Sequence, residues 1–203
     1  TINNFVRYIM FSKTVGTVTF HFEPLLIFGG LILLILFAHL IRSIVTELGF
    51  RDITKKLVTG DYDGIIKSGE KLLQMYQKYN ARLSTRQIIS KIEYLNFSLA
   101  ISYFARSDDD QFLSHINEMN SSFDIKEFWL SLFYLRKNDF ETASAHYVQI
   151  ASDDSTQVYK TFLSSFEAYK QGDNDTAKSK IIGVIDQLKH PILKQIADSI
   201  IKN

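Results

Sequence analysis

Apolar and polar residues follow two regimes along this chain. From Leu25 to Ile41 the stretch LLIFGGLILLILFAHLI runs seventeen residues without a formal charge. From Phe50 onward, helical runs are separated by short polar breaks. A helix that is apolar on every side has no face to offer to water, so the first regime has lipid as its solvent. At about 1.5 Å per residue the uncharged run spans about 26 Å. That is a little short of a ~30 Å hydrocarbon core, and Phe20, Phe22, Ile44 and Val45 extend it at the ends. Pro24 suits a first helical position because it has no N–H to leave unpaired, and Gly49 suits a left-handed exit. These signals predict a membrane-proximal segment over residues 1–23, a transmembrane helix over 24–48 and a helical domain over 49–203.

Two other readings of the run are weaker. A cleaved signal peptide needs a basic segment, a short apolar core and a small-residue cleavage site. Here His21 and Glu23 precede the run, and Arg42, Ser43, Ile44 and Val45 follow it without such a site. A buried core helix needs a large surrounding core, which the remaining domain is too small to supply. Arg7 and Lys13 lie before the span, and Arg42, Arg51, Lys55 and Lys56 lie after it. Because basic residues are retained on the cytoplasmic side, four against two places the carboxy-terminal domain in the cytoplasm. His39 and Arg42, near that end, snorkel to the interface. Before the span, FVRYIMF at Phe5–Phe11 is apolar, and Val18, Phe20 and Phe22 alternate with Thr17, Thr19 and His21. That segment reads as a short hairpin turning near Ser12 and Lys13, as an interfacial helix, or as a loose tail.

In the second regime the breaks share a form. GDYDGI begins at Gly60, SDDDQFL at Ser107, NDFETA at Asn138 and GDNDTA at Gly172. Each reads as a tight helix-to-helix turn: a leading Gly or Asn can take the left-handed cap, and the Asp residues that follow offer cap acceptors and negative charge to the next helix. The same account disposes of a calcium loop at Asp108, Asp109 and Asp110, which lacks the alternating ligands, central glycine and distal glutamate. About eight helices are expected. The last follows Pro191 over residues 192–202, with Ile192, Ile196 and Ile200 on one stripe and Lys194, Asp198 and Lys202 away from it.

The interval from the break at Asn138 to that at Gly172 equals the period of tetratricopeptide repeats. Residues 124–155 resemble one such unit. Leu130, Ser131 and Tyr134 match its L-G-x-x-Y places, Asn138, Asp139 and Phe140 its turn, and Ala143, Tyr147 and Ile150 its second helix. Glu127 stands at the family's leading Trp, with Trp129 two residues on. Leu99, Ala100 and Tyr103 fit a unit turning at Ser107. The unit at Gly172 keeps the turn and Ala177 but has Thr161 and Ser164 at bulky places, and the unit at Gly60 fits through its turn. The resemblance implies an all-α fold in which the span is followed by an α-solenoid of stacked helix hairpins. It also implies a concave groove lined by the first helices. Tyr94, Phe97 and Phe104, then Phe128 and Arg136, then Tyr159, Phe162, Phe166 and Lys170 are its candidate partner-binding residues. Aromatic and Arg side chains suit that role, although Val158, Phe162, Phe166 and Tyr169 also have the spacing of a core stripe.

Composition narrows the function without naming it. Two prolines and nine glycines in 203 residues favour helices over a sandwich or barrel. A formal net charge of +1 gives no global field for nucleic acid. Lys78, Arg82, Arg86 and Lys91 form a basic stretch that is either a solvated face or a contact for anionic lipid or an acidic partner. Cysteine is absent, which removes disulfides and thiolate chemistry. The histidines at 21, 39, 115, 146 and 190 make no H-x-x-x-H pair, and neither a phosphate-binding P-loop nor a nucleophile elbow is present. No enzyme, cofactor, metal or small-molecule substrate is implied. Two functions follow. One is a membrane-anchored adaptor or scaffold that binds a protein or peptide partner at the bilayer. The other is an accessory subunit of a larger integral complex, a transporter, translocase or envelope-assembly machine, in which Gly29 and Gly30 permit close helix packing.

Overall fold

A computed structural model describes residues 23–80, 85–120 and 124–202. The expectations for residues 1–22 and for Arg82 lie outside the described residues. Among those residues the fold is all-α, with no strand. Nine α-helices follow one another: α1 (Glu23–Thr59), α2 (Tyr62–Asn80), α3 (Arg86–Arg106), α4 (Asp109–Asn117), α5 (Asp124–Arg136), α6 (Phe140–Tyr147), α7 (Asp154–Lys170), α8 (Asn174–Ile182) and α9 (Pro191–Lys202). A short 3-10 turn, Ile185–Gln187, precedes α9. The chain divides into two compact units, Thr1–Glu47 and Leu48–Asn203.

In the first unit the described residues belong to α1. Leu33 and Leu34 are each 67% exposed, and Phe28, Leu36, Phe37 and Leu40 are exposed with them. Phe28–Thr59 is long and apolar enough to cross a membrane, with a mean hydropathy of 2.2 in its apolar window and none of that window buried. The helix does not end at Gly49, as the sequence had suggested. It continues to Thr59, because Gly49 serves a contact: a Cβ there would stand 3.4 Å from Leu72 Cδ1 on α2. The left-handed exit is Gly60, at φ +76°.

In the second unit four hairpins are built on one turn. Gly60, Ser107, Asn138 and Gly172 all have positive φ, at 76°, 60°, 62° and 87°. The Asp after each donates its N–H back across the turn: Asp61 to Lys56 O at 2.9 Å, Asp108 to Tyr103 O at 3.0 Å, Asp139 to Tyr134 O at 3.0 Å and Asp173 to Ala168 O at 2.9 Å. This is the long bond of a Schellman cap, which satisfies a carbonyl orphaned at the end of a helix. The same four Asp carboxylates then accept the N–H groups of Gly64, Gln111, Thr142 and Thr176, at 3.0, 3.3, 3.1 and 3.1 Å. One residue thus closes one helix and opens the next. Hydrogen bonds from the Thr142 and Thr176 side chains and backbones hold Asp139 and Asp173 below the usual carboxylate range.

Helices on either side of the last three of these turns pack as pairs. α3 lies on α4, α5 on α6 and α7 on α8; α2 also packs on α3, α5 on α7, and α9 on α8 and α7. Small residues let the pairs close. Ser131 Oγ donates to Ala143 O at 3.0 Å, and one repeat period later Ser165 Oγ donates to Ala177 O at 2.7 Å. Gly69 on α2 faces Leu99 of α3 and Ile53 of α1. Trp129 is fully buried at the centre of the core, with Phe97, Phe104 and Phe128 centred 6.5, 5.4 and 5.5 Å from it. On α9 the stripe of Ile192 and Ile200 is buried together with Leu193 and Ala197, and Lys194, Asp198 and Lys202 are exposed.

The turn makes a direct prediction. No side chain lies within 4 Å of where a Cβ on Gly172 would be, so Gly172→Ala tests the backbone alone and is expected to cost about 1–2 kcal/mol. Ser107→Gly relieves the same strain and is expected to gain about 0.5–1 kcal/mol after the added chain entropy of glycine. Urea midpoints of the micelle-solubilised chain, followed by helical ellipticity, read both; equal midpoints for the two variants would contradict the turn geometry.

Candidate functional site

The residues singled out by the sequence fall in two places. Gly29 and Gly30 lie on α1, and a Cβ on either would meet nothing within 4 Å. The rest lie in the second unit. Phe97, Phe104, Phe128, Phe162 and Phe166 are all buried, none more than 8% exposed. Tyr94, Arg136, Tyr159 and Lys170 keep partial exposure. The helices bring most of them into one aromatic ladder. Tyr94 reaches Phe97 at 6.5 Å between ring centres, and Phe128 reaches Tyr159 at 5.1 Å and Phe162 at 6.1 Å. Such rings stabilise a core through buried area and edge contacts. The surface left to a partner at these positions is therefore offered by the four half-exposed side chains.

Arg136 has a structural task of its own. Its Nη1 donates to Phe104 O at 2.8 Å, ending α3, and its Nη2 donates to Asp109 Oδ1 at 2.6 Å. Its guanidinium lies 4.0 Å over the Phe104 ring. Burial pushes Arg136 below its ordinary value, and the Asp109 carboxylate opposes that. Lys137 pairs with the second Asp109 oxygen, so that carboxylate is neutralised by two cations at a helix start. In the basic stretch Lys78 and Arg86 are exposed, whereas Lys91 lies 5.2 Å over the Phe50 ring and 5.6 Å over that of Tyr76.

A polar motif recurs in two of the hairpins. Tyr103 on α3 stacks on His115 of α4, with ring centres 5.5 Å apart and planes 4° from parallel. Tyr134 on α5 stacks on His146 of α6 at 5.4 Å and 5°. His115 Nδ1 lies 3.1 Å from Asn96 Oδ1, and His146 Nδ1 lies 2.7 Å from Glu127 Oε2. Tyrosine, histidine and acceptor are displaced by one and the same interval between the two copies. In the first copy Glu70 of α2 joins in: its Oε1 lies 2.9 Å from His115 Nε2 and accepts from Tyr103 Oη at 3.1 Å. Burial and then the Glu70 carboxylate push the Tyr103 phenol up to about 12. These side chains satisfy one another and clamp neighbouring helices. Treating the histidines as scattered missed the motif; the shared offset of Tyr103, His115 and Asn96 from Tyr134, His146 and Glu127 was the signal for it.

Among the described residues no group of three His, Cys, Asp or Glu side chains could hold a metal ion. The described residues are all-helical, a long apolar helix leading into packed helix pairs. It matches no protein-family model, no curated protein and no solved structure.

The clamp is measurable. Glu127 and His146 are both largely covered, with 12% and 22% of their side-chain surface exposed. A double-mutant cycle of Glu127→Ala and His146→Ala is expected to give a coupling of about 1.5–3 kcal/mol from denaturant unfolding. A coupling near zero would remove the pair as a fastener of α5 to α6.

Proposed function

We propose that this protein is a membrane-anchored helical-repeat adaptor that binds a protein or peptide partner at the bilayer. The observation that carries the reading is the apolar stretch of α1, whose leucines, isoleucines and phenylalanines are exposed among the described residues. In this reading residues 24–48 span the bilayer, and the excess of basic residues after the span puts the packed unit on the cytoplasmic side. The helix pairs form a short α-solenoid of the tetratricopeptide type. Support comes from the four like turns, from the Ser131 and Ser165 bonds one repeat period apart and from the duplicated tyrosine-histidine stack. The work is done by tethering, which raises the effective concentration of whatever the domain holds beside other membrane components. No catalysis, cofactor or small-molecule substrate is assigned to it.

A second reading, an accessory subunit of a larger integral complex, draws on the open surroundings of Gly29 and Gly30, where another helix could approach closely.

The full chain tests both. It is expected to stay in the membrane pellet after alkaline carbonate extraction, with an intact mass that still includes residues 24–48; release to the supernatant, or loss of that segment, would overturn the anchor. Photo-crosslinking amino acids at Tyr94, Tyr159 and Lys170 are expected to capture a partner in native membranes. Capture at Gly29 and Gly30 alone would favour the accessory subunit.

A further inference from the structure

His190 stands where the chain enters its last helix. Its carbonyl accepts the N–H groups of Leu193 and Lys194, at 3.1 and 3.2 Å, so it caps the start of α9. Its ring packs edge-on against Phe97 of α3 and Trp129 of α5, each 5.8 Å away between centres. Next to it Pro191 fits against the left-handed turn, where a Cβ on Gly60 would stand 3.4 Å from Pro191 Cβ. Leu188, Ile192 and Leu193 are buried on either side. The segment is therefore seated by apolar contact along its length.

Its polar groups are not satisfied to match. His190 Nδ1 and Trp129 Nε1 are sealed from solvent without a hydrogen-bond partner among the described residues. Tyr62 Oη is sealed as well and makes no well-formed hydrogen bond, only an approach to the Ile192 backbone. A buried polar group left unpaired is destabilising, and all three belong to this seam or its edge. We propose that residues 188–193 form a proton-sensitive strap, seated against Phe97 and Trp129 while His190 is neutral and released when its ring takes up a proton.

The surroundings of the ring work against that proton. Phe97 faces it from α3 and Trp129 from α5, and neither offers an acceptor. At the adjoining turn burial raises Tyr62 above 10.0 against the opposing Ile192 backbone contact, so it stays neutral, and the exposed Asp61 carboxylate is engaged by the Gly64 N–H at 3.0 Å. Lys189 and Lys194, exposed on the same segment, add positive charge, and the start of α9 presents the positive end of a helix dipole. Asp186, also exposed, lies four residues before His190. Burial holds His190 below its ordinary value of 6.5. A histidine whose seated value is lowered keeps its segment fully seated above the released value. It then favours release as pH falls below that value, by about tenfold per pH unit until the seated value is reached. In the adaptor reading release also uncovers Phe97, one of the groove candidates, so acid opens that position to a partner; the strap itself does not depend on that reading.

Trp129 is the chain's one tryptophan and reports directly on the seam. In the full chain, reconstituted in phosphatidylcholine nanodiscs, its emission is expected to shift to the red and its acrylamide quenching to rise several-fold as pH falls from 8 to 5. His190→Phe is expected to keep the pH 8 spectrum and lose the transition, while His115→Gln and His146→Gln keep it. Hydrogen exchange of the Leu193 and Lys194 amides in the unaltered chain, corrected for the intrinsic pH dependence, is expected to quicken over the same range. An unchanged Trp129 between pH 8 and 5, a transition that survives in His190→Phe, or amides equally protected at both ends would each overturn the strap.

Discussion

A helix that is apolar on all sides and uncovered by protein constrains everything else in this molecule. Over the stretch around Leu33 to Leu40 every side chain described is exposed. Each leucine or isoleucine left in water forfeits about 1.5–3 kcal/mol relative to burial, so an unbroken run of them cannot remain in water without aggregating. Backbone groups raise no objection to a bilayer, since a continuous helix satisfies them internally. In the anchor reading proposed above, this apolar surface is an address rather than a defect, and it sets where the packed unit works.

The packed unit meets a different constraint: the second helix of several of its pairs is short, and short helices spend a large share of their backbone groups on unsatisfied ends. Its answer is the four-fold use of one turn. A residue with positive φ ends the helix, and the following Asp bonds backward through its N–H and forward through its carboxylate. Short connections then force neighbouring helices to lie antiparallel and bury their apolar faces on each other. α4, α6 and α8, of nine, eight and nine residues, are too short to be stable alone; their hold on α3, α5 and α7 supplies what propensity does not. The stacked tyrosine-histidine pairs and the Ser131 and Ser165 bonds add polar fasteners within that contact.

What was legible in the residues was whatever depends on local chemistry. The uncharged run, the four Gly/Ser/Asn-Asp turns and the helix after Pro191 could be read because each rests on neighbours in sequence. Gly49 was misread because glycine serves two purposes, a left-handed cap and a close approach, and only the position of Leu72 separates them. The groove candidates show the same limit. Helical spacing puts Phe97, Phe128 and Phe162 on recurring faces, but whether such a face meets solvent or another helix depends on the rest of the fold. The duplicated clamp lay hidden because the step from Tyr103 to Tyr134 is slightly shorter than the step from Ser131 to Ser165, so a search at the repeat period passes over it. His190 could not have been placed at all, since its neighbours Phe97 and Trp129 are far from it in sequence.

The central claim is that lipid surrounds this helix on every side, and spin labels placed one at a time over residues 31–45 of the bilayer-reconstituted chain test it most directly. The account predicts high collision rates with oxygen and exclusion of a water-soluble nickel chelate at all successive positions around Leu36, on every face of the helix. Access for the nickel chelate at Leu36, or a face closed to both reagents, would contradict it.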